Sequence, residues 1–178
     1  MCGIAGIAGQ QRVNRQAVET MMDLMVHRGP DDSGLWTSEN KRVVFGHRRL
    51  AILDLTAAGH QPMRSNDGSI VITYNGEIYN YIELANRLKA EGYEFRSQSD
   101  TEVLLAVYQL WGIDGISQLN GMFAFALYDS RSNHLICARD RYGEKPFLFA
   151  ELEGGFAFAS EYKALLALED VSTEINNS

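Results

Sequence analysis

Cysteine is scarce in this chain of 178 residues: there are two, Cys2 and Cys137, and no CxxC pair. Neither a disulfide framework nor a cysteine-based metal centre can be built from them, so the chain reads as cytoplasmic with reduced thiols. Long apolar runs are also missing. No stretch approaches the ~20 residues of a membrane span, and the start lacks a basic region followed by a long apolar one. Positive charge is in deficit, with a formal net charge of −7. That removes the electrostatic footprint of a nucleic-acid binder. Basic residues are scattered, apart from Arg48-Arg49 and the segment ARDRYGEK. No internal repeat or low-complexity tract is present. What remains is a chain with 46% hydrophobic and 22% charged residues, ordinary for a folded domain and wrong for a disordered one.

The pattern along the chain is α+β, with short strands outnumbering helices. CGIAGIAG reads as a strand whose glycines permit close backbone approach. NRQAVETMMDLMVHRGP reads as a helix with Val18, Met21, Met22 and Met25 on one face, a left-handed stop at Gly29 and Pro30 forbidding continuation. RVVFGHRR and SIVITYN are rich in β-branched residues and read as strands. Asn80 is placed to cap a helix through ELANRLKAEG. SDTEVLLAVYQLWG opens with Ser99 three residues before Glu102, a capping-box spacing, and stops at Gly112. MFAFALYD is apolar on both faces, as in a strand between layers, and HLICARD continues after a turn. PFLFAE and FAFAS flank Gly154-Gly155 as a hairpin, and EYKALLAL closes as a short helix. Antiparallel sheets with helices on their outer faces are expected.

Four places carry chemistry. Cys2 follows the initiator methionine. If Met1 is removed, thiol and α-amine share one residue, and the amine can take the thiol proton directly or through a water. The bland reading is that a free cysteine is a small buried hydrophobe. In YNGEIYN, the Asn75 amide and the Gly76 N–H can face the oxygen of a tetrahedral intermediate, although Asn-Gly is also the commonest hairpin turn. One of Arg48 and Arg49 can clamp a carboxylate, or the pair lies on the surface. Asp100, in the first turn of a helix, serves the helix dipole or receives an ammonium group. Together these outline a pocket for an α-amino acid with a side-chain amide. His27 and His47 are not needed as bases. His27 suits a helix end, Asp31-Asp32 suit a turn and salt bridges, Cys137 reads as buried and inert, and Lys145 follows no phosphate loop.

The ordered set MCGIAG, HRGPDDSG, GHRRLAILDL, GHQPM, YNGEIYNY, SDTEVLL, LNGMFAFALYD, ARDRYGEKP and FASEYKALL resembles the N-terminal glutaminase domain of glutamine-hydrolysing asparagine synthetases. That family is a class II glutamine amidotransferase with the N-terminal nucleophile (Ntn) hydrolase fold. The resemblance runs from Met1 to about Leu168. It implies a four-layer αββα sandwich with two antiparallel sheets. It also implies methionine removal, attack of Cys2 on glutamine, release of ammonia and hydrolysis of a glutamyl thioester to glutamate. By motif, the oxyanion hole is the Asn75 side chain with the Gly76 N–H, and the carboxylate clamp is Arg49. Leu50 and Ile52 supply neighbouring backbone, while Glu77 and Asp100 hold the substrate's amino end.

The resemblance also marks out a missing half. Synthetases of this kind continue into a domain with an SGGxDSS-type loop that uses ATP and Mg, and no SGGxDS string occurs here. Residues 1–170 are therefore expected to form the glutaminase domain, which needs no cofactor. Residues 171–178 read as a polar tail or the start of a linker. The expected partners are L-glutamine and an ATP-dependent synthetase domain in cis or in trans, with a homodimer allowed and with neither nucleic acid nor membrane. Two alternatives stay open. One is the glutaminase domain of another class II amidotransferase, such as amidophosphoribosyltransferase, glucosamine-6-phosphate synthase or glutamate synthase. The other is a catalytically silent glutamine-binding module, should Met1 be retained and the Cys2 amine stay locked in an amide.

Overall fold

The computed structural model describes residues 1–51 and 57–173. Nine strands are present among them: β1 (Gly3–Gly9), β2 (Asp32–Thr37), β3 (Val43–Arg49), β4 (Met63–Arg64), β5 (Ile70–Ile78), β6 (Gly121–Asp129), β7 (His134–Arg139), β8 (Leu148–Leu152) and β9 (Gly155–Ala159). Four α-helices accompany them: α1 (Arg15–Asp23), α2 (Tyr81–Ala90), α3 (Asp100–Gly115) and α4 (Tyr162–Leu165). The first sheet has the order β2-β3-β1-β9-β8 and the second β4-β5-β6-β7. Every neighbouring pair is antiparallel.

Three apolar layers hold the stack together. α1 and α4 cover the outer face of the first sheet through Val18, Met21, Met22, Met25, Ala164 and Leu165, packed on Ala5, Ile7 and Val44. α2 and α3 cover the second sheet, where Leu84, Leu88, Leu104 and Leu105 meet Ile70, Ile72, Tyr74 and Phe125. Between the sheets lie Ile4, Val43, Phe45 and Phe158 from one side and Val71, Ala124, Ala126 and Tyr128 from the other. This is the four-layer αββα arrangement. It arises because each sheet carries apolar residues on both faces, so each must be covered twice.

Several local expectations need correction. Asn75 and Gly76 do not follow a strand. They lie inside β5, which stays paired with β6 as far as Ile78↔Gly121. Nine residues of cross-strand pairing override the Asn-Gly turn preference. Gly29 is not left-handed (φ −150°). It is glycine because a Cβ there would collide with the backbone between Arg48 and Arg49. Asn80 precedes α2 but makes no cap bond. Its amide instead accepts from Asn120 N at 2.9 Å and donates to Gln118 O at 3.0 Å. Ser99 does cap α3, accepting from Thr101 N at 3.1 Å. Glu102, however, turns to Arg96 N and Ser97 N rather than back to Ser99. The expected stop at Gly112 is a break (φ 66°), after which one more turn runs to Gly115. Cys137 is exposed on β7, not buried, because β7 is an edge strand with one open face.

Toward one end, the layer between the sheets changes from apolar to polar. His47 on β3 is fully buried there, with Nδ1 3.2 Å from Thr73 Oγ1 of β5. The Thr73 hydroxyl donates to Gly46 O at 3.2 Å. The imidazole therefore donates through Nδ1, and its buried Nε2 has no partner among the described residues. Burial first, and the Arg49 charge second, push its pKa down to about 3. The unfolded chain takes up a proton here near pH 6.5, whereas the folded chain does so only near 3. Stability contributed by neutral His47 is therefore lost as pH falls through that window, at up to about 1.4 kcal/mol per pH unit. We expect His47→Gln to flatten the fall in urea-unfolding free energy between pH 6.5 and 4 relative to the parent. Identical slopes in the two proteins would refute this assignment.

Candidate functional site

Alternation along three strands decides which side chains reach this polar end. On β1, Ile4 faces the inter-sheet layer and Ala5 the outer one. Cys2, just before the strand, shares the parity of Ile4 and points between the sheets. On β3, Val43 and Phe45 face inward, so His47 and Arg49 do as well. On β5, Val71 faces inward, so Thr73, Asn75 and Glu77 follow. The same rule decides which of the two arginines reaches the cavity. Arg48 points outward and binds Met22 O at 3.1 Å and Asp23 Oδ1 at 2.6 Å. Arg49, 8% exposed, lines the cavity.

That cavity, about 70 Å³, is walled by Met1, Cys2, Arg49, Leu50, Asn75, Gly76, Glu77 and Asp100 among others. All the predicted site residues within the described part of the chain therefore converge on it. Ile52 lies outside the described residues. Cys2 Sγ accepts from Leu50 N at 3.4 Å and lies 3.6 Å from Leu50 O. Burial raises its pKa above the ordinary thiol value, against the opposing pull of the Leu50 N–H, the chain's amino terminus, Arg49 and Arg28. The Asn75 side chain is 2% exposed, and its Nδ2 has no hydrogen-bond partner among the described residues.

Gly76 is read from the strand ladder. Phe123, its register partner on β6, exchanges its hydrogen bonds with Asp140 on the opposite edge. Gly76 is thus a non-hydrogen-bonded position toward β6, and its N–H points the other way. Tyr74 N and Ile78 N point the same way. The first is taken by Gln61 Oε1 at 2.7 Å and the second by Asp100 Oδ2 at 3.0 Å. Between them, the Gly76 N–H faces the cavity. A side chain at this position would collide with the Met122 carbonyl on β6.

Asp100 heads α3 and is nearly buried. Its Oδ2 also accepts the Tyr74 hydroxyl at 2.6 Å. Burial raises its pKa, with Tyr74 and Ile78 opposing. Burial and the Asp100 charge push the Tyr74 phenol well up, so Tyr74 stays a donor. One oxygen of Asp100 is therefore tied to the fold while the residue still borders the cavity.

Three contributions escaped the sequence reading. Gln61 is one, bridging Tyr74 N and Thr101 Oγ1. Lys145 is 7% exposed and lines the cavity, with Nζ 3.3 Å from Met1 Sδ. The HRGPDD segment is the third. Arg28 Nε donates to Cys2 O at 2.9 Å, and Asp31 Oδ2 accepts from Ala51 N at 2.8 Å. The signal for Gln61 and Lys145 is absent from any local window, because each acts across strands distant in sequence.

The raised Cys2 pKa has a direct readout. With Met1 in place, alkylation of Cys2 by iodoacetamide, followed by peptide mass spectrometry, should be slow near pH 8. It should still be climbing above the ordinary thiol range. A rate that levels off below pH 8 would contradict the burial argument.

Comparison with known proteins bears on the same site. The family model described as a glutamine amidotransferase domain matches residues 1–178. The chain is 42% identical over 183 residues to asparagine synthetase [glutamine-hydrolyzing] 3 of Bacillus subtilis, covering 100% of this chain and 29% of that protein. A putative asparagine synthetase [glutamine-hydrolyzing] 2 of Methanocaldococcus jannaschii is 38% identical over 193 residues, covering 99% of this chain and 37% of that one. The chain thus spans about a third of the length of these relatives. Among solved structures, the glutamine phosphoribosylpyrophosphate amidotransferase of B. subtilis superimposes with a TM-score of 0.81 at 24% identity. The match covers 93% of this chain and 43% of that one. The last match shows the fold, an α+β sandwich of two antiparallel sheets.

Proposed function

Since the chain belongs to the glutamine amidotransferase domain family, we propose that it hydrolyses L-glutamine to glutamate and ammonia through a Cys2 thioester once Met1 is removed. The observation that carries this reading is a pair of donors on the wall shared with Cys2: Asn75 Nδ2, without a partner among the described residues, and the Gly76 N–H, turned away from β6 between the bonded Tyr74 and Ile78 N–H groups. A buried amide donor without a partner costs about 1–3 kcal/mol, and an oxyanion in that place relieves the cost.

The steps balance with this chain's own groups. The freed α-amine takes the thiol proton, and the sulfur attacks the side-chain amide carbon of glutamine. The carbonyl π electrons move to oxygen, where Asn75 Nδ2 and Gly76 N–H receive the charge. The ammonium returns its proton to the departing nitrogen, the C–N bond breaks, and ammonia leaves a glutamyl thioester. Water, deprotonated by the same amine, then splits the thioester to glutamate and free thiol. Arg49 binds the substrate carboxylate, Glu77 and Asp100 its ammonium, and the Leu50 backbone holds the thiol; Ile52 belongs to the same proposed set. The domain needs no cofactor for these steps. Its ammonia would go to an asparagine-synthetase-like acceptor domain, in cis or in trans, in the cytoplasm. ATP and Mg belong to that acceptor.

Met1 defines the competing reading. It walls the cavity, and its retention would turn the α-amine into a peptide nitrogen, leaving a glutamine-binding module without a base. We expect protein shown by intact mass to begin at Cys2 to release ammonia from glutamine, and Cys2→Ala to lose that release by at least about 10³-fold. Arg49→Ala should raise the glutamine KM by tenfold or more. Turnover by Cys2→Ala, or by protein proven to retain Met1, would overturn the mechanism. An unchanged KM would remove Arg49 from the site.

A further inference from the structure

Cys2 lies outside the strand ladder, whose pairing begins at Gly3↔Arg48. Once Met1 is gone, the nucleophile is tethered covalently on one side only. Rotation about the Gly3 N–Cα bond then swings the Cys2–Gly3 peptide plane and carries amine and thiol together relative to Asn75. Two polar anchors oppose that rotation: Sγ at Leu50, and the carbonyl oxygen at Arg28 Nε, 2.9 Å away.

Arg28 is itself held. Its side chain is 11% exposed, and Nη1 lies 3.1 Å from Glu161 Oε1. The same oxygen lies 2.8 Å from His27 Nε2, and Oε2 lies 3.2 Å from Lys163 Nζ. Burial opposes the charge on Glu161, but His27, Arg28 and Lys163 together hold its pKa below the ordinary value. The residue before it, Ser160, accepts from Ile4 N through Oγ at 3.0 Å and donates to Ile4 O at 2.9 Å. The β9–α4 junction thus fixes Ile4 directly and Cys2 through one arginine.

We propose that Glu161 is a positioning residue for the glutaminase reaction, acting through Arg28 to fix the Cys2 carbonyl and thereby the direction of thiol and amine. This rests on the proposed function above. A side chain that sets a nucleophile's rotation changes turnover more than substrate binding, because misplacement by ~1 Å alone costs as much as about 10²-fold in rate.

The test uses the protein processed to Cys2, as Glu161→Gln and Arg28→Lys variants. Glu161→Gln keeps the shape but loses the charge that orients Arg28. Arg28→Lys keeps the ion pair but loses the planar Nε donor. Expected for both is a kcat lowered about tenfold or more, a glutamine KM within about twofold, and an unchanged Cys137 alkylation rate. Cys2 alkylation should rise about threefold or more as the released carbonyl lets the thiol turn outward. Wild-type kcat in both variants, a raised KM with kcat kept, or failure of both to fold would overturn the proposal and leave the cluster as a brace of the fold. Wild-type protein that releases no ammonia would instead strike the functional reading, while the two alkylation rates still report on the positioning of Cys2.

Discussion

Side chains along β1, β3 and β5 alternate between two faces, and the packing of the sheets decides which face becomes the inside. Once Phe45, Val71 and Phe158 are buried between the sheets, the positions of Cys2, Arg49 and Asn75 follow without further choice. A slip of one residue in β3 would bring Arg48 into the cavity and send Arg49 toward α1. The apolar layer is thus the registration device of the site. Phe45 and Phe158 contribute to it both by area and by their edge contact at 5.7 Å.

The same layer sets the energetic character of the polar end. His47 Nε2 and Asn75 Nδ2 are both buried without partners among the described residues. Each opposes folding by about 1–3 kcal/mol. The two are not equivalent. His47 is sealed behind Thr73 and remains a neutral element of the core, whereas Asn75 borders an opening. Asp100 shows the opposite economy, with one oxygen serving both a tyrosine hydroxyl and a strand N–H. That shared acceptor fixes the head of α3 against β5, and the Gly76 N–H lies between two neighbours, Tyr74 N and Ile78 N, that are already bonded.

Much of this was legible in the sequence wherever a property repeats locally. The β-branched runs gave β3 and β5, the doubly apolar run gave β6, the Gly154-Gly155 hairpin joined β8 to β9, and Ser99 marked the head of α3. What failed had a competing partner far away. Asn75-Gly76 reads as a turn until β6 is present to extend β5, and Asn80 abandons its helix for Asn120. Gly29 looks like a helix stop but answers to the backbone of β3. β2 and the two-residue β4 have too little pattern of their own. The site residues were named through their resemblance to a family, since composition and spacing left both arginines open. Parity decides which of them faces the cavity, and it needs the second sheet.

As the terminal nucleophile of the proposed reaction, Cys2 needs long-range support, and Arg28 and Glu161 are placed to give it. An internal residue is oriented by peptide planes on both sides, whereas a terminal one has a single plane and a free amine. Because Cys2 lies outside the ladder, side chains supply the constraint: Arg28 reaches the Cys2 carbonyl and Ser160 holds Ile4, and both contacts tie the terminus to a junction more than a hundred residues away in sequence. Completion of β9 and α4 is therefore a precondition for a well-directed Cys2. In the proposed reaction the residue that starts the processed chain takes its place only when one of the last elements in sequence has packed.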